Sequence, residues 1–345
     1  MNKLHPWDTL NFLSKLSLRK IRNAILVFTS YYYSRWTAKP QQWGLPFTIN
    51  FEPTTACNLR CPECPSGLRQ FTRSTGNLKK DFFRFNIDEL SEHLLYLIFY
   101  FQGEPYINPS FLEMVEYARK KGIYTITSTN GHFLNNTNAK KTILSGLDRL
   151  IISVDGTTQE VYEQYRKEGK LDVVLKGIEN LVRWKKELQS KTPHIVLQFL
   201  VVRPNEHQIK DIKILSKKMG VDELVFKTAQ VYDYEFGNPL IPTIDSHSRY
   251  RKLPDNRYEP KAKLHNHCWK LWHGCVITWD GLVVPCCFDK DAQHQLGDLK
   301  TQPSFNKIWY SKRYQKFREQ LFNGRENIDI CTNCTEGCKV WLEPD

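Results

Sequence analysis

The chain has 345 residues, of which 41% are hydrophobic and 13% aromatic, and a formal net charge of +12. This composition excludes a disordered chain, and the length accommodates one large domain plus a small one. The longest apolar runs, at 24–28 and 94–101, fall far short of the ~20 residues of a membrane-spanning helix, and no signal-peptide pattern opens the chain, so the cytoplasm is the expected compartment.

Residues 1–50 hold seven Lys/Arg and one Asp, so half of the net charge lies there. Leu18, Ile21, Ile25 and Phe28 recur at helical spacing, with Arg19, Lys20 and Arg22 on other faces. The pattern predicts a basic helical extension over 1–46, packed on the main domain with its charged face in solvent. Contact with an acidic partner or an anionic membrane surface is the alternative.

From 47 to 230, strand-like and helix-like segments alternate. Strands are expected at 47–54, 95–102, 124–130, 149–155, 194–202 and 223–229, each short and rich in β-branched and aromatic residues. Helices are expected between them, as at 108–121 and 158–187. Such alternation implies parallel strands with right-handed crossovers. Six units predict an α/β fold, a partial (β/α)6 TIM-like barrel, with a small α+β domain after it. Polar residues follow the strands: the cysteines after the first, "QGEP" after the second, "TNG" after the third, "SVDG" after the fourth and "RPNE" after the fifth. In parallel α/β folds the C-terminal strand ends form the active face, so these loops should converge on one mouth.

Residues 231–267 read as an irregular linker with four prolines. The remainder, 268–345, reads as a β-hairpin about Asp280–Gly281, one helix over 304–322, and a closing group of Cys331, Cys334 and Cys338.

Three of the ten cysteines lie at 57–64 and the other seven at 268–338. Their spacings, with no signal peptide, favour metal sites over disulfides. A zinc site built on Cys57, Cys61 and Cys64 needs a fourth ligand, for which His93 and His132 are the nearby donors. Alternatively the three thiolates hold three irons of a [4Fe–4S] cluster and leave the fourth iron open.

Cys57-x3-Cys61-x2-Cys64, in a loop after the first barrel strand, resembles the signature of the radical S-adenosylmethionine (SAM) superfamily. The resemblance implies that SAM chelates the open iron and is reductively cleaved to a 5′-deoxyadenosyl radical, which takes a hydrogen atom from the substrate. Gly103 and Glu104 match the family's segment that holds the SAM amino group, with Gln102 in place of its first glycine. Ser153 and Asp155 resemble the residues near the ribose and carboxylate. Arg166 resembles an arginine that pairs with the carboxylate. Asn130 sits where a polar residue faces the adenosyl part. Glu63 departs from the pattern, which places an aromatic ring before the third cysteine.

The C-terminal segment resembles the SPASM/Twitch extension of the same superfamily. This implies an auxiliary [4Fe–4S] cluster on Cys268, Cys286, Cys331 and Cys334; a zinc ribbon is the alternative. Cys275, Cys287 and Cys338 are left over, for a second auxiliary cluster or for packing. Cys287 adjoins a ligand and is a candidate catalytic hydrogen-atom donor. The resemblance implies a two-electron, dehydrogenase-like oxidation. The short extension ahead of the barrel favours a small or carbohydrate-like substrate over a peptide. A peptide maturase, an RNA-modifying enzyme and a zinc-binding scaffold are the other readings, and an external donor such as flavodoxin or ferredoxin is the expected redox partner.

Overall fold

Two helices, α1 (Pro6–Leu13) and α2 (Leu18–Thr37), precede the first strand in the computed structural model, which describes residues 5–334 and 340–342. Six strands follow: β1 (Thr48–Phe51), β2 (Tyr96–Ile98), β3 (Tyr124–Thr129), β4 (Arg149–Ser153), β5 (His194–Val201) and β6 (Glu223–Thr228). They pair in sequence order and all in parallel, as the alternation predicts. The short α3 (Pro65–Leu68) and the longer α4 (Lys80–Leu90) lie between β1 and β2. The later crossovers are α5 (Phe111–Lys120), α6 (Asn136–Ser145), α7 (Gln159–Tyr165) with α8 (Leu171–Glu187), and α9 (Ile209–Met219). β5 is buried along its whole length, as befits a central strand covered on both faces. The main core lies between strands and helices and includes Phe51, Phe83, Leu97, Phe99, Leu197 and Phe199.

The helix expected over 158–187 is broken. Glu168 adopts a positive φ of 65°, which a continuing right-handed helix cannot accommodate. The break at 166–170 separates α7 from α8 and carries Arg166 to the mouth. The expected linker also differs, because β7 (Tyr250–Lys252) and β8 (Tyr258–Pro260) form a small antiparallel pair.

The C-terminal part continues the same sheet. After α10 (Lys270–His273), β9 (Gly274–Ile277) pairs in parallel with β1, and β10 (Leu282–Val284) and β11 (Gly297–Asp298) add on antiparallel. Gly281 has φ 93°, which gives the hairpin turn its left-handed residue. β12 (Trp341–Leu342) closes the other edge against β6, completing a sheet of ten strands. The single helix expected over 304–322 is instead α11 (Phe305–Trp309) and α12 (Lys312–Gly324). Ser311 starts the second by accepting the Tyr314 N–H at 3.2 Å. The short α13 (Asp329–Thr332) carries Cys331.

The N-terminal extension packs on the body with the opposite face from the one expected. Lys20, Asn23, Val27, Ser30, Tyr31 and Ser34 are buried, while Leu18, Ile21, Ile25 and Phe28 are exposed. Hydrogen bonding explains the reversal. Asn23 bonds both the N–H and the carbonyl of Leu45, at 2.9 and 2.8 Å. Ser34 accepts the Gln41 N–H at 2.8 Å, and the Lys20 ammonium donates to the Gly122 carbonyl. These bonds satisfy the segment that leads into β1.

Candidate active site

The loop after β1 brings Cys57, Cys61 and Cys64 to the wall of a cavity of about 260 Å³ at the C-terminal end of the barrel. The same cavity is lined by Gly103 and Glu104 after β2, Asn130 after β3, Ser153 at the end of β4 and Arg166 after α7. Loops far apart in sequence therefore meet at one mouth.

Glu104 is fully buried in that wall. Its carboxylate accepts the Thr129 hydroxyl at 2.7 Å and the Asn130 N–H at 2.8 Å. Burial still pushes it up to about 7, so the site favours a cationic partner for its ionised form. Asn130 donates to Asn58 at 2.8 Å and lies 3.9 Å from the Cys57 sulfur. Arg166 is held by an Asp155 ion pair, and its Nη1 lies 3.8 Å from the Cys61 sulfur. Asp155 itself does not line the cavity: one oxygen takes Arg166 and the other accepts the Leu200 N–H at 2.7 Å. Ser153 receives a long 3.5 Å contact from Gln198. Gln102, next to this wall, is buried.

Gly103 has φ 73° and is packed against backbone. A Cβ there would come 2.3 Å from the Thr54 oxygen and 2.8 Å from the Ala56 oxygen. Gly103→Ala should destabilise the fold by roughly 1–3 kcal/mol and weaken SAM binding about tenfold or more, read by thermal unfolding and equilibrium binding.

The donor chemistry fits a multi-iron cluster. Burial pushes the Cys57 thiol up to about 12, helped by Glu104 and the other two cysteines. Cys61 is raised by burial against the pull of Arg166. Thiols so placed become thiolates only with a cation on them. Around one zinc, at Zn–S ~2.3 Å, the sulfurs would crowd to within ~4 Å. Among the described residues, the group of three or more ligand-type side chains whose donor atoms all lie within 4.8 Å is His5, His194 and Glu223, at the far end of the barrel. There Glu223 is already held by Arg149. Neither cysteine set is drawn together as one zinc ion requires. His132 is also committed elsewhere, since its Nε2 accepts the Lys170 N–H at 2.9 Å.

The second sulfur set forms around Arg325. Cys268, Cys331 and Cys334 all act on this buried guanidinium, whose Nη2 lies 3.3 Å from the Cys334 sulfur. Its Nη1 donates to the His267 carbonyl at 3.0 Å. Cys286 feels Cys268 and Cys334, and burial raises it well above the ordinary thiol range. Cys275 is elsewhere, buried in the core on β9. Cys338 lies outside the described residues. Cys287 faces the gap between the two sets: its sulfur is 3.9 Å from Lys270 Nζ, and its charge reaches Tyr100 and Lys227, both on the cavity wall.

Several participants carry no sequence signal. Ser66 accepts the Gly103 N–H at 2.9 Å. Tyr232, from the loop after β6, donates its N–H at 2.9 Å to Glu63, the residue already marked as a departure, and is thereby held near Cys64. Lys227, Lys270 and Lys290 lie near Cys287, with Lys227 pulled down to about 8 by burial and by Arg249.

A family model described as the radical SAM superfamily matches residues 51–212, and one described as an iron-sulfur cluster-binding domain, SPASM, matches 268–335. The tungsten-containing aldehyde ferredoxin oxidoreductase cofactor-modifying protein of Pyrococcus furiosus is 26% identical, over 83% of this chain and 86% of its own. Mycofactocin maturase MftC of Mycobacterium ulcerans is 30% identical, over 84% of this chain and 80% of its own. The PqqA peptide cyclase of Bradyrhizobium diazoefficiens is 26% identical over 59% and 52%. Streptococcus suis SuiB, solved with S-adenosylmethionine, shares the fold at a TM-score of 0.61 and 11% identity, covering 90% of this chain and 76% of that one. With three cysteines at the barrel mouth and a second set around Arg325, the chain belongs to the radical SAM superfamily, carries a SPASM domain, and uses [4Fe–4S] clusters with SAM.

Proposed function

We propose that this radical SAM enzyme oxidises a peptide or peptide-derived substrate that carries an anionic group. The observation that carries this reading is the set of cations at the mouth. Lys227 is on the cavity wall and is acted on by Arg249 and Cys287, and Lys270 and Lys290 lie near Cys287. A lining of this sign favours an anionic group on the substrate. Relatives named as a maturase and a peptide cyclase support the peptide over the small or carbohydrate-like substrate.

When bound, a cluster on Cys57, Cys61 and Cys64 with SAM supplies a 5′-deoxyadenosyl radical, and a cluster on Cys268, Cys286, Cys331 and Cys334 supplies a redox partner. The chain's own part is positioning. Glu104, ionised by a cationic partner, would hold the SAM amino group. Arg166, fixed by Asp155, presents its remaining donors to the carboxylate. Ser153 and Asn130 line the adenosyl side. Tyr232, carried in by Glu63, supplies the ring that the segment before Cys64 lacks. Cys287, next to Cys286, can take up the proton that the substrate loses on oxidation.

The test is hydrogen transfer. Peptides deuterated at side-chain and α carbons, with and without acidic residues, are incubated anaerobically with the reconstituted enzyme, SAM and a flavodoxin or dithionite reductant. Deuterium in 5′-deoxyadenosine from the acidic peptides supports the reading. Deuterium only from neutral sugars or cyclitols overturns it.

A further inference from the structure

The N-terminal helices present an apolar face to solvent. On α2, Leu18, Ile21, Ile25, Phe28, Tyr32 and Trp36 recur in steps of three and four, which places them on one stripe. Leu18 is 87% exposed and Trp36 85%. On α1, Trp7, Leu10 and Leu13 are likewise exposed. The opposite side of α2 is the polar one, and it is the side that packs. A helix that buries Lys20, Asn23, Ser30 and Ser34 beside Val27 and Tyr31, while exposing Leu18, Ile21, Ile25 and Phe28, is largely inverted relative to an ordinary surface helix. Contiguous exposed apolar surface marks a docking site.

Charge identifies the occupant. Arg22 and Arg35 lie exposed on either side of the stripe, and Lys39 follows the helix. The single acid of the first fifty residues, Asp8, is turned inward to Arg149 at 2.7 Å. The stripe is therefore flanked by Arg22 and Arg35, while Arg19, farther round the helix, is paired with the exposed Glu92. A second copy would oppose the same arginines across a two-fold axis, which like-charge repulsion disfavours. An apolar helical stripe that ends in the exposed Trp36, next to a second helix with an exposed Trp7, matches an interfacial segment. Such a helix sinks its apolar stripe among acyl chains while its arginines meet anionic headgroups.

We infer that α1 and α2 dock this enzyme on an anionic membrane surface. α1 lies under the floor of the barrel, where Phe12 stacks on Tyr96 with ring centres 4.8 Å apart. Docking through this face leaves the mouth, at the other end of the strands, open.

The probe is a vesicle. Full-length, cluster-reconstituted protein is sedimented with phosphatidylcholine vesicles, with and without about one-third phosphatidylglycerol, at low salt and near ~0.5 M salt. The expected result is partition onto the anionic vesicles, at least tenfold weaker on neutral ones and weakened by salt. Leu18→Glu combined with Ile25→Glu should lower that partition at least tenfold. It should leave 5′-deoxyadenosine release unchanged, since both side chains are exposed and neither lines the cavity. Three outcomes overturn the inference. They are no partition onto anionic vesicles, partition that the double variant leaves intact, and a solution dimer or complex with an acidic protein that the variant dissolves while vesicles bind neither form.

Discussion

Cys57→Ala abolishes the release of 5′-deoxyadenosine from SAM, a loss of more than about a hundredfold, because even removal of groups that merely support metal ligands costs 10–100-fold. The sulfur is anchored by the Leu59 N–H at 3.5 Å and by Asn130 at 3.9 Å, in a loop whose other two cysteines have separate positions. No described spare can replace it. Cys275 is sealed in the core, and Cys287, beside Cys286, does not line the cavity that holds Cys57. Iron content should fall by about one cluster while the thermal transition stays cooperative. Undiminished 5′-deoxyadenosine release from the variant contradicts the assignment.

Cys268→Ala gives a different phenotype. SAM cleavage continues within severalfold of the parent, while product falls about tenfold or more, so 5′-deoxyadenosine accumulates without matching product. The separation is expected because Cys268 belongs to the set around Arg325 and lines no part of the cavity that holds Cys57. Loss of one sulfur also leaves the buried Arg325 guanidinium less compensated, and removing one partner of a buried charge is costly. The variant should therefore melt earlier than Cys57→Ala. Iron analysis, low-temperature magnetic resonance and the ratio of 5′-deoxyadenosine to product read the result. Equal loss of cleavage and product would falsify the division of labour between the two sets.

The barrel was legible because its signals are local. Short β-branched runs between helical periods mark β1–β6, and the polar residues just after them mark the mouth. Helix ends were less legible. The break at Glu168 rests on one left-handed residue inside an otherwise helical stretch, and the Ser311 cap interrupts a run whose apolar spacing reads straight through. The packing of α2 was misjudged because hydrophobic periodicity takes the apolar face as the buried one. Here the returning strand segment needed hydrogen bonds, and Asn23 and Ser34 supplied them. Within the site, the cysteines, Gly103, Glu104 and Arg166 carry recognisable spacing. Arg325, Ser66 and Lys227 do not, because each matters only through a neighbour that is remote in sequence. Glu63 stood out as a departure, and its reason lies in Tyr232, 169 residues away.

The parallel ladder between β1 and β9 has a further meaning. Thr48 to Phe51 pair one to one with Gly274 to Ile277, so the loop bearing Cys57 and the hairpin leading to Cys286 spring from adjacent strands. Electron hopping between two centres falls steeply with separation, and proteins that set that separation by hinge or domain motion must wait for the motion. Here a row of backbone hydrogen bonds acts as a fixed ruler. A slip of one residue would turn every side chain of the ladder to the other face, so the hairpin that leads to Cys286 is held in register against the strand that leads to Cys57.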